Sequence, residues 1–339
     1  MTISLCMIVK DEEAVLARCL NSVADLVDEI VIVDTGSTDS TKEIAARYTD
    51  KIYDFQWIGD FSAARNFAFS KCTMEYIYSA DADEILDEEN RQRFLDLKEF
   101  MLPEIDIVQM KYGNQLENGT VYNFDEEYRP KLFKRLRTFT WVEPIHETVR
   151  LDPVVFDSDI VITHAPTENH GDRDLHHFRK LVRSGVVLSK HLHNMYAREL
   201  FLAGTDEDFR KAYGFFTTSV QDLERGEDEH KEACLVAARA ARIAGSHVPF
   251  FKYITKLVAG DAPSEACIEL GLFYESIGDF EEAAVWYYNA AFETTPILRL
   301  AAANEDAAAG LTRAYRSMGV PEVADTFVRD IEKRIREMK

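Results

Sequence analysis

The patterning of apolar residues changes once along this chain, and that change bounds what it can fold into. Up to about His164 they come in short runs, at residues 3–9, 29–34, 74–79 and 160–163, separated by amphipathic stretches. Runs of that length read as strands, and the stretches 12–24, 40–48 and 61–70 read as helices, the pattern of βα units around a mainly parallel sheet. From Asp172 onward the strand signals stop, and Ala, Leu, Glu, Arg and Tyr recur at helical spacing. A chain of 339 residues with 46% hydrophobic content can fill two cores. The expected architecture is an α/β domain over residues 1–171 followed by an all-α domain over residues 172–339.

Within the helical part, Gly204, Gly245, Gly278 and Gly319 break the pattern at spacings of 41, 33 and 41 residues, the period of helical-hairpin repeats. The clearest unit spans residues 266–296, where Leu270, Gly271, Tyr274, Ala283, Tyr287 and Ala290 occupy the small and large packing positions of a tetratricopeptide repeat. An earlier unit matches by half, with Asp208, Ala212 and Phe216 standing where the first has Asp279, Ala283 and Tyr287. An Ala-rich helical bundle is the alternative. Tyr274, Tyr287 and Tyr288 are candidates for a groove, the first two equally for packing.

Charge and segment length exclude several function classes. A formal net charge of -21 repels a phosphate polymer over the whole surface, so no nucleic acid polymer is expected as partner. Only Lys131, Lys134, Arg135 and Arg137 gather as a basic patch. No stretch approaches the roughly 18 apolar residues of a membrane span, and the first ten residues lack the features of a signal peptide, so a soluble, cytoplasmic protein is expected. The cysteines Cys6, Cys19, Cys72, Cys234 and Cys267 are widely spaced, as reduced thiols are, and none is expected to hold zinc.

Chemistry concentrates just beyond the expected strands, where open α/β sheets bind ligands. Asp81 and Asp83 stand at alternate positions after the run 74–79, so they can flank one hard cation that bridges a diphosphate. Acidic surface loops also produce such triplets, and the weight here comes from the place after a strand. Asp34 ends the second strand, where its carboxylate can accept from a base edge or cap the next helix, although Ser37, Thr38, Asp39 and Ser40 are better placed to cap. Lys10, Asp11 and Glu12 follow the first strand as nucleoside contacts or as exposed charges. Arg65 and Asn66 lie on the helix before the triplet, and Arg65 can pair with Asp81 or a phosphate, or form a structural salt bridge. His146 and Glu147 place a nitrogen ligand beside a carboxylate, so one can complete a metal shell while the other accepts a proton. His164, at a strand end, is a metal or phosphate contact or a structural histidine. His176, His177, His191 and His193 are expected as solvated helix residues, and His170 lies in a polar loop.

Four motifs in one order, Leu5-Cys-Met-Ile-Val-Lys-Asp-Glu-Glu13, Val31-Ile-Val-Asp-Thr-Gly-Ser-Thr-Asp39, Phe61-Ser-Ala-Ala-Arg-Asn66 and Ser79-Ala-Asp-Ala-Asp-Glu84, resemble family 2 glycosyltransferases of the GT-A fold. The resemblance runs over about residues 2–164, including an acceptor-side segment from Tyr128 to Glu147. With the tetratricopeptide-like tail, the chain resembles the sublancin S-glycosyltransferase branch, which acts on a peptide cysteine. This implies a GT-A nucleotide-diphospho-sugar transferase domain with a Rossmann-like mixed sheet, followed by an all-α helical-repeat domain. It implies a UDP-sugar donor contacted by Val9, Lys10, Glu12, Asp34, Arg65, Asp81 and Ala82, with uracil read by Asp34. It also implies Mn2+ or Mg2+ ligated directly by Asp83 and completed by His146 and His164, while Asp81 meets the ribose, or the cation through water. Asp83 and Glu147 are the implied catalytic pair of an inverting transfer of a hexose or N-acetylhexosamine, Glu147 as base with Glu143 in reserve. The acceptor implied is a peptide or protein; the alternative is a glycan or small molecule, with the tail serving as a homodimer contact.

Rival functions make sequence demands that this chain does not meet. A sugar-nucleotide pyrophosphorylase needs a Gly-rich basic loop where Lys10-Asp-Glu-Glu13 stands, and a processive synthase needs membrane spans. A non-catalytic helical scaffold would be expected to lose the acidic triplet or the nucleoside loop, and both are present.

Overall fold

The computed structural model describes residues 1–113, 127–136, 141–142, 148–149, 153–164 and 171–338. The chain divides into two compact units, Met1–Asn169 and His170–Lys339. No helix among the described residues is long and apolar enough to cross a membrane.

The first unit runs β1 (Ile3–Val9), α1 (Leu16–Val23), β2 (Glu29–Asp34), α2 (Thr41–Ala45), β3 (Ile52–Asp54), α3 (Phe61–Phe69), β4 (Tyr76–Ser79), β5 (Glu84–Ile85), α4 (Glu88–Phe100), β6 (Ile107–Gly113), β7 (Glu127–Lys134), β8 (Trp141–Val142), β9 (Thr148–Val149) and β10 (Val155–His164). Eight strands form one sheet in the order β3-β2-β1-β4-β7-β6-β10-β5, and β8 pairs with β9 apart from it. The pairs β1/β2, β2/β3, β1/β4 and β6/β10 are parallel, whereas β7 runs antiparallel to both β4 and β6. The sheet is therefore mixed, because β7 returns through its middle. Strands β1, β2 and β4 are buried along nearly their whole length, which is why they read as unbroken apolar runs and not as alternations. The chain leaves β1 toward β2 and β3 on one side and returns to β4 on the other, so the carboxyl ends of β1 and β4 flank a switch point.

Two helices are shorter than their sequence pattern suggests. The stretch 12–24 is helical only from Leu16, and the backbone amides of Glu12 and Glu13 ahead of it donate to Thr41 Oγ1 and Asp39 Oδ2 at 2.7 and 3.1 Å. Helix α2 ends at Ala45, and isolated turns carry the chain on to Tyr48.

At the opposite end of the sheet, Glu29 of β2 ties β1 to the segments that lead into β3 and β4. Its carboxylate is buried, accepts from Ser4 Oγ, from Thr73 N and Oγ1 at 2.7 and 2.8 Å, and pairs with Lys51 at 2.5 Å. Burial alone would raise its pKa, but the Lys51 bond and the three neighbouring donors outweigh it and bring the value down to about 2.

The second unit consists of α5 (Gly171–Arg183), α6 (Lys190–Ala203), α7 (Asp206–Ser219), α8 (Glu227–Ile243), α9 (His247–Val258), α10 (Ser264–Ser276), α11 (Phe280–Phe292), α12 (Glu305–Ser317) and α13 (Pro321–Met338). Successive helices pack as hairpins, while α6, α8, α10 and α12 also touch one another in turn, the stacking of a solenoid. Gly245, Gly278 and Gly319 hold φ of 65, 81 and 79°, which lets the chain reverse after α8, α10 and α12. Tyr287 of α11 is fully buried in a slot between Gly271 and Gly310: a Cβ on Gly271 would lie 2.5 Å from its ring, and one on Gly310 closer still. Tyr287 and Tyr274 therefore pack within the repeat, Tyr274 partly buried against the same cluster, and Tyr288 stacks on Phe292. His193 overturns the expectation of a solvated residue. It is fully buried, with Nδ1 2.8 Å from Glu232 Oε2 and its ring against Phe216, because α6 packs on both α7 and α8. His176 and His191 are exposed as expected.

Two stability measurements check this account. The depressed pKa of Glu29 makes its contribution, about 3 kcal/mol, fully present above the ordinary carboxylate range and lost as pH falls toward 2. Denaturant unfolding of Glu29→Gln should therefore show a deficit at pH 7 that narrows as pH drops from about 4.5 to 2. Gly271→Ala and Gly310→Ala should each cost about 1–3 kcal/mol through overpacking against Tyr287, with part of that cost relieved when Tyr287→Leu is added.

Candidate functional site

The carboxyl ends of β1 and β2 lie side by side, with Val9 opposite Asp34 in register. Chain ends emerging there carry backbone N–H groups that the sheet no longer satisfies, and the two following loops satisfy each other. Asp11 adopts φ of 54°, which turns its carboxylate onto Thr38 N at 2.7 Å, while its own amide donates to Ser37 Oγ at 2.9 Å. Glu13 Oε2 accepts from Ser40 N at 3.0 Å. Val9 itself is buried, and its carbonyl accepts from Thr35 N and Oγ1, so its donor contact would have to come from other atoms. Lys10 is exposed and Glu12 half-buried in this loop.

Asp34 is 1% exposed. Its Oδ1 accepts from Gly36 N and Ser37 N, each at 2.9 Å, with Lys42 Nζ 4.0 Å away. Gly36 can present its amide because it holds φ of 109°, a conformation open to glycine. The second oxygen, Oδ2, is buried and has no hydrogen-bond partner among the described residues. Asp34 thus does not cap α2, and Asp39 instead serves the start of that helix by accepting from Thr41 N at 3.0 Å.

On the other side of β1, Ser79 ends β4 and the acidic segment follows. Arg65, on α3, donates to Ser79 Oγ at 2.7 Å and to Asp81 Oδ1 at 3.2 Å. Burial would raise the Asp81 pKa, but Arg65 and then Lys131 and Arg129 hold it well below the usual carboxylate range. Asp83 Oδ2 lies 2.9 Å from His164 Nε2, brought there by the antiparallel pairing of β5 with the end of β10. Ala82 is buried between them in sequence, and the Cys19 thiol of α1 donates to the Asp81 carbonyl at 3.4 Å. His146, Glu147, Glu143 and His170 lie outside the described residues, as does Arg137.

Lys131 does not belong to the expected basic patch. Lys131 is buried and bonded to Glu84, while Lys134 and Arg135 donate to the carbonyls of Pro103 and Met74. A lysine inside the run Lys131-Leu132-Phe133, where the next two residues are fully buried, has no solvent side, and that is the signal the charge count overlooks. The roles of Asp11 and Cys19 left no such trace, because both depend on contacts with distant segments.

Comparison with known proteins gives this geometry a context. Residues 4–149 match the profile of glycosyl transferase family 2. A TPR repeat-containing protein of Synechococcus elongatus is 51% identical over 84 residues, 25% of this chain and 21% of that protein. The SPbeta prophage-derived glycosyltransferase SunS of Bacillus subtilis is 39% identical over 92 residues, 26% of this chain and 22% of its own. The matches thus span about a fifth of the length of these two curated relatives. Among solved structures, S. aureus TarS 1-349 in complex with UDP-GlcNAc aligns over 87% of this chain and 93% of that one, at 15% identity and a TM-score of 0.39. The four motifs, set around one mixed sheet, all lie within the residues that match the glycosyl transferase family 2 profile.

Proposed function

We propose that this chain transfers a hexose or N-acetylhexosamine, with inversion, from a UDP-sugar to a peptide or protein side chain. The observation that carries the donor assignment is the idle oxygen of Asp34. A buried carboxylate oxygen without a partner costs free energy until a donor reaches it. Its neighbour oxygen is committed to two backbone amides, so a base must offer an N–H to it. Uracil does so with its imide N–H, whereas cytosine presents a lone pair at the same ring position and is repelled. Lys10 and Glu12 remain the candidate contacts to the rest of the nucleoside, on a loop held by its bonds to residues 37–41.

The residues present fit a divalent cation as well. Neighbouring ligands on an octahedral ion with bonds of about 2.1 Å stand about 3 Å apart. Asp83 Oδ2 and His164 Nε2 are 2.9 Å apart, and an imidazole among the ligands suits Mn2+ better than Mg2+. Among the described residues no group of three or more His, Cys, Asp or Glu side chains gathers as a complete cage, so the donor's phosphates and water would fill the remaining positions. Once bound, the ion would neutralise charge on the departing diphosphate. Arg65 holds Asp81 in place, and Glu147, assigned by resemblance, takes the acceptor's proton.

Release of UDP from a panel of nucleotide sugars tests the donor half. Turnover should require Mn2+ or Mg2+, and Asp83→Asn should lower it at least about a hundredfold with the fold intact. UDP-sugars should be preferred over CDP-sugars by at least about a hundredfold, and Asp34→Ala should erode that preference. Full turnover in excess chelator would refute the cation assignment.

The acceptor assignment is supported by the solenoid stacking of α6, α8, α10 and α12, which builds the kind of extended surface that repeat arrays offer to peptides. A chain ending at Asn169 and shown by circular dichroism to be folded should keep UDP-sugar hydrolysis and lose transfer to a peptide acceptor. Equal peptide transfer by both forms would refute it.

A further inference from the structure

The acidic segment places three carboxylates within four residues, and like charges so close repel unless each is compensated. Asp81 meets Arg65, and Asp83 meets His164. Glu84 is the most deeply buried of the three, with a side chain 2% exposed; one oxygen bonds Lys131, and the other has no hydrogen-bond partner among the described residues. That carboxylate depends on one ammonium. Lys131 comes from β7, and its own side chain is 7% exposed. A buried ion pair of this kind is rarely more stable than apolar side chains of equal volume, so its value lies in where it holds the chain.

Glu84 is well placed to transmit such a hold. Its amide bonds the Asp81 carbonyl at 3.2 Å, closing the segment into one turn, and it pairs across β5 and β10 with His164. Moving Glu84 moves Asp83 and its imidazole partner together. The Lys131 ammonium also lies 5.2 Å from the Tyr112 ring, whose centroid is 5.2 Å from the His164 ring and 4.1 Å from the Arg129 guanidinium. Resting on the donor-site reading above, we propose that Lys131 is a positioning residue: through Glu84 it clamps residues 81–84 to β7 and sets Asp83 and His164 at the separation a diphosphate-bound cation needs.

Calorimetric titration of the full chain with UDP across a series of Mn2+ concentrations tests this without turnover. In the wild type, Mn2+ should strengthen UDP binding; if it does not, the donor-site reading falls, and the role of Lys131 with it. If it does, the variants decide on Lys131 alone. Lys131→Met with Glu84→Leu removes both charges, so it should fold, keep cation-free UDP binding within about threefold, and need at least about tenfold more Mn2+ for the same enhancement. Lys131→Arg keeps the charge and should stay within about threefold of the wild type. Should the paired replacement fail to fold, Lys131→Gln, which keeps a donor without the charge, is read in the same way. A folded neutral variant with wild-type Mn2+ dependence would overturn the proposal and leave the pair a purely structural one.

Discussion

The proposed donor site depends on the backbone amides that the ends of parallel strands leave unsatisfied. Where β1 and β2 stop, the chain has no ladder partner for several N–H groups, and side chains must supply acceptors. Asp34, Asp11, Ser37, Asp39 and Thr41 do so reciprocally, each loop capping the other. The arrangement makes the pair of loops one object. Asp34 bonds the amides of its own loop through one oxygen, and the other oxygen is idle among the described residues.

The segment after β4 faces a different problem, the crowding of negative charge. Asp81, Asp83 and Glu84 are neighbours in sequence, yet each meets a partner from a different element: Arg65 from α3, His164 from β10 and Lys131 from β7. Three segments far apart in the chain thus converge on four residues, and only the mixed sheet makes that convergence possible, since β7 must run back beside β4 to deliver its lysine. The strongly acidic chain therefore keeps several of its cations inside, where each compensates a specific carboxylate.

The helical unit is organised by size and not by charge. Buried alanines line α8, α11 and α12, glycines at 271 and 310 open a slot, and Tyr287 fills it. Close packing of this kind gives each repeat its place only relative to its neighbours, as in other arrays of stacked hairpins. His193 belongs to the same economy of space: its imidazole lies against Phe215 and Phe216, and Glu232 occupies the ring's Nδ1 edge.

What the sequence by itself determined is whatever local periodicity and ordered motifs encode. The strands at 3–9 and 29–34, the passage to an all-helical second part, the repeat positions around Gly271 and Tyr287, and the acidic triplet after a strand were legible because each is written within a few consecutive residues. Tertiary structure alone decided the rest. That Lys131 is a buried counter-ion and not part of a surface patch, that His193 is core, and that the amides of Glu12 and Glu13 are held by Thr41 and Asp39 follow from contacts between segments far apart in the chain. The physical reason is common to all three: burial and hydrogen-bond satisfaction are set by what packs against a residue, and a window of sequence holds only one side of that contact.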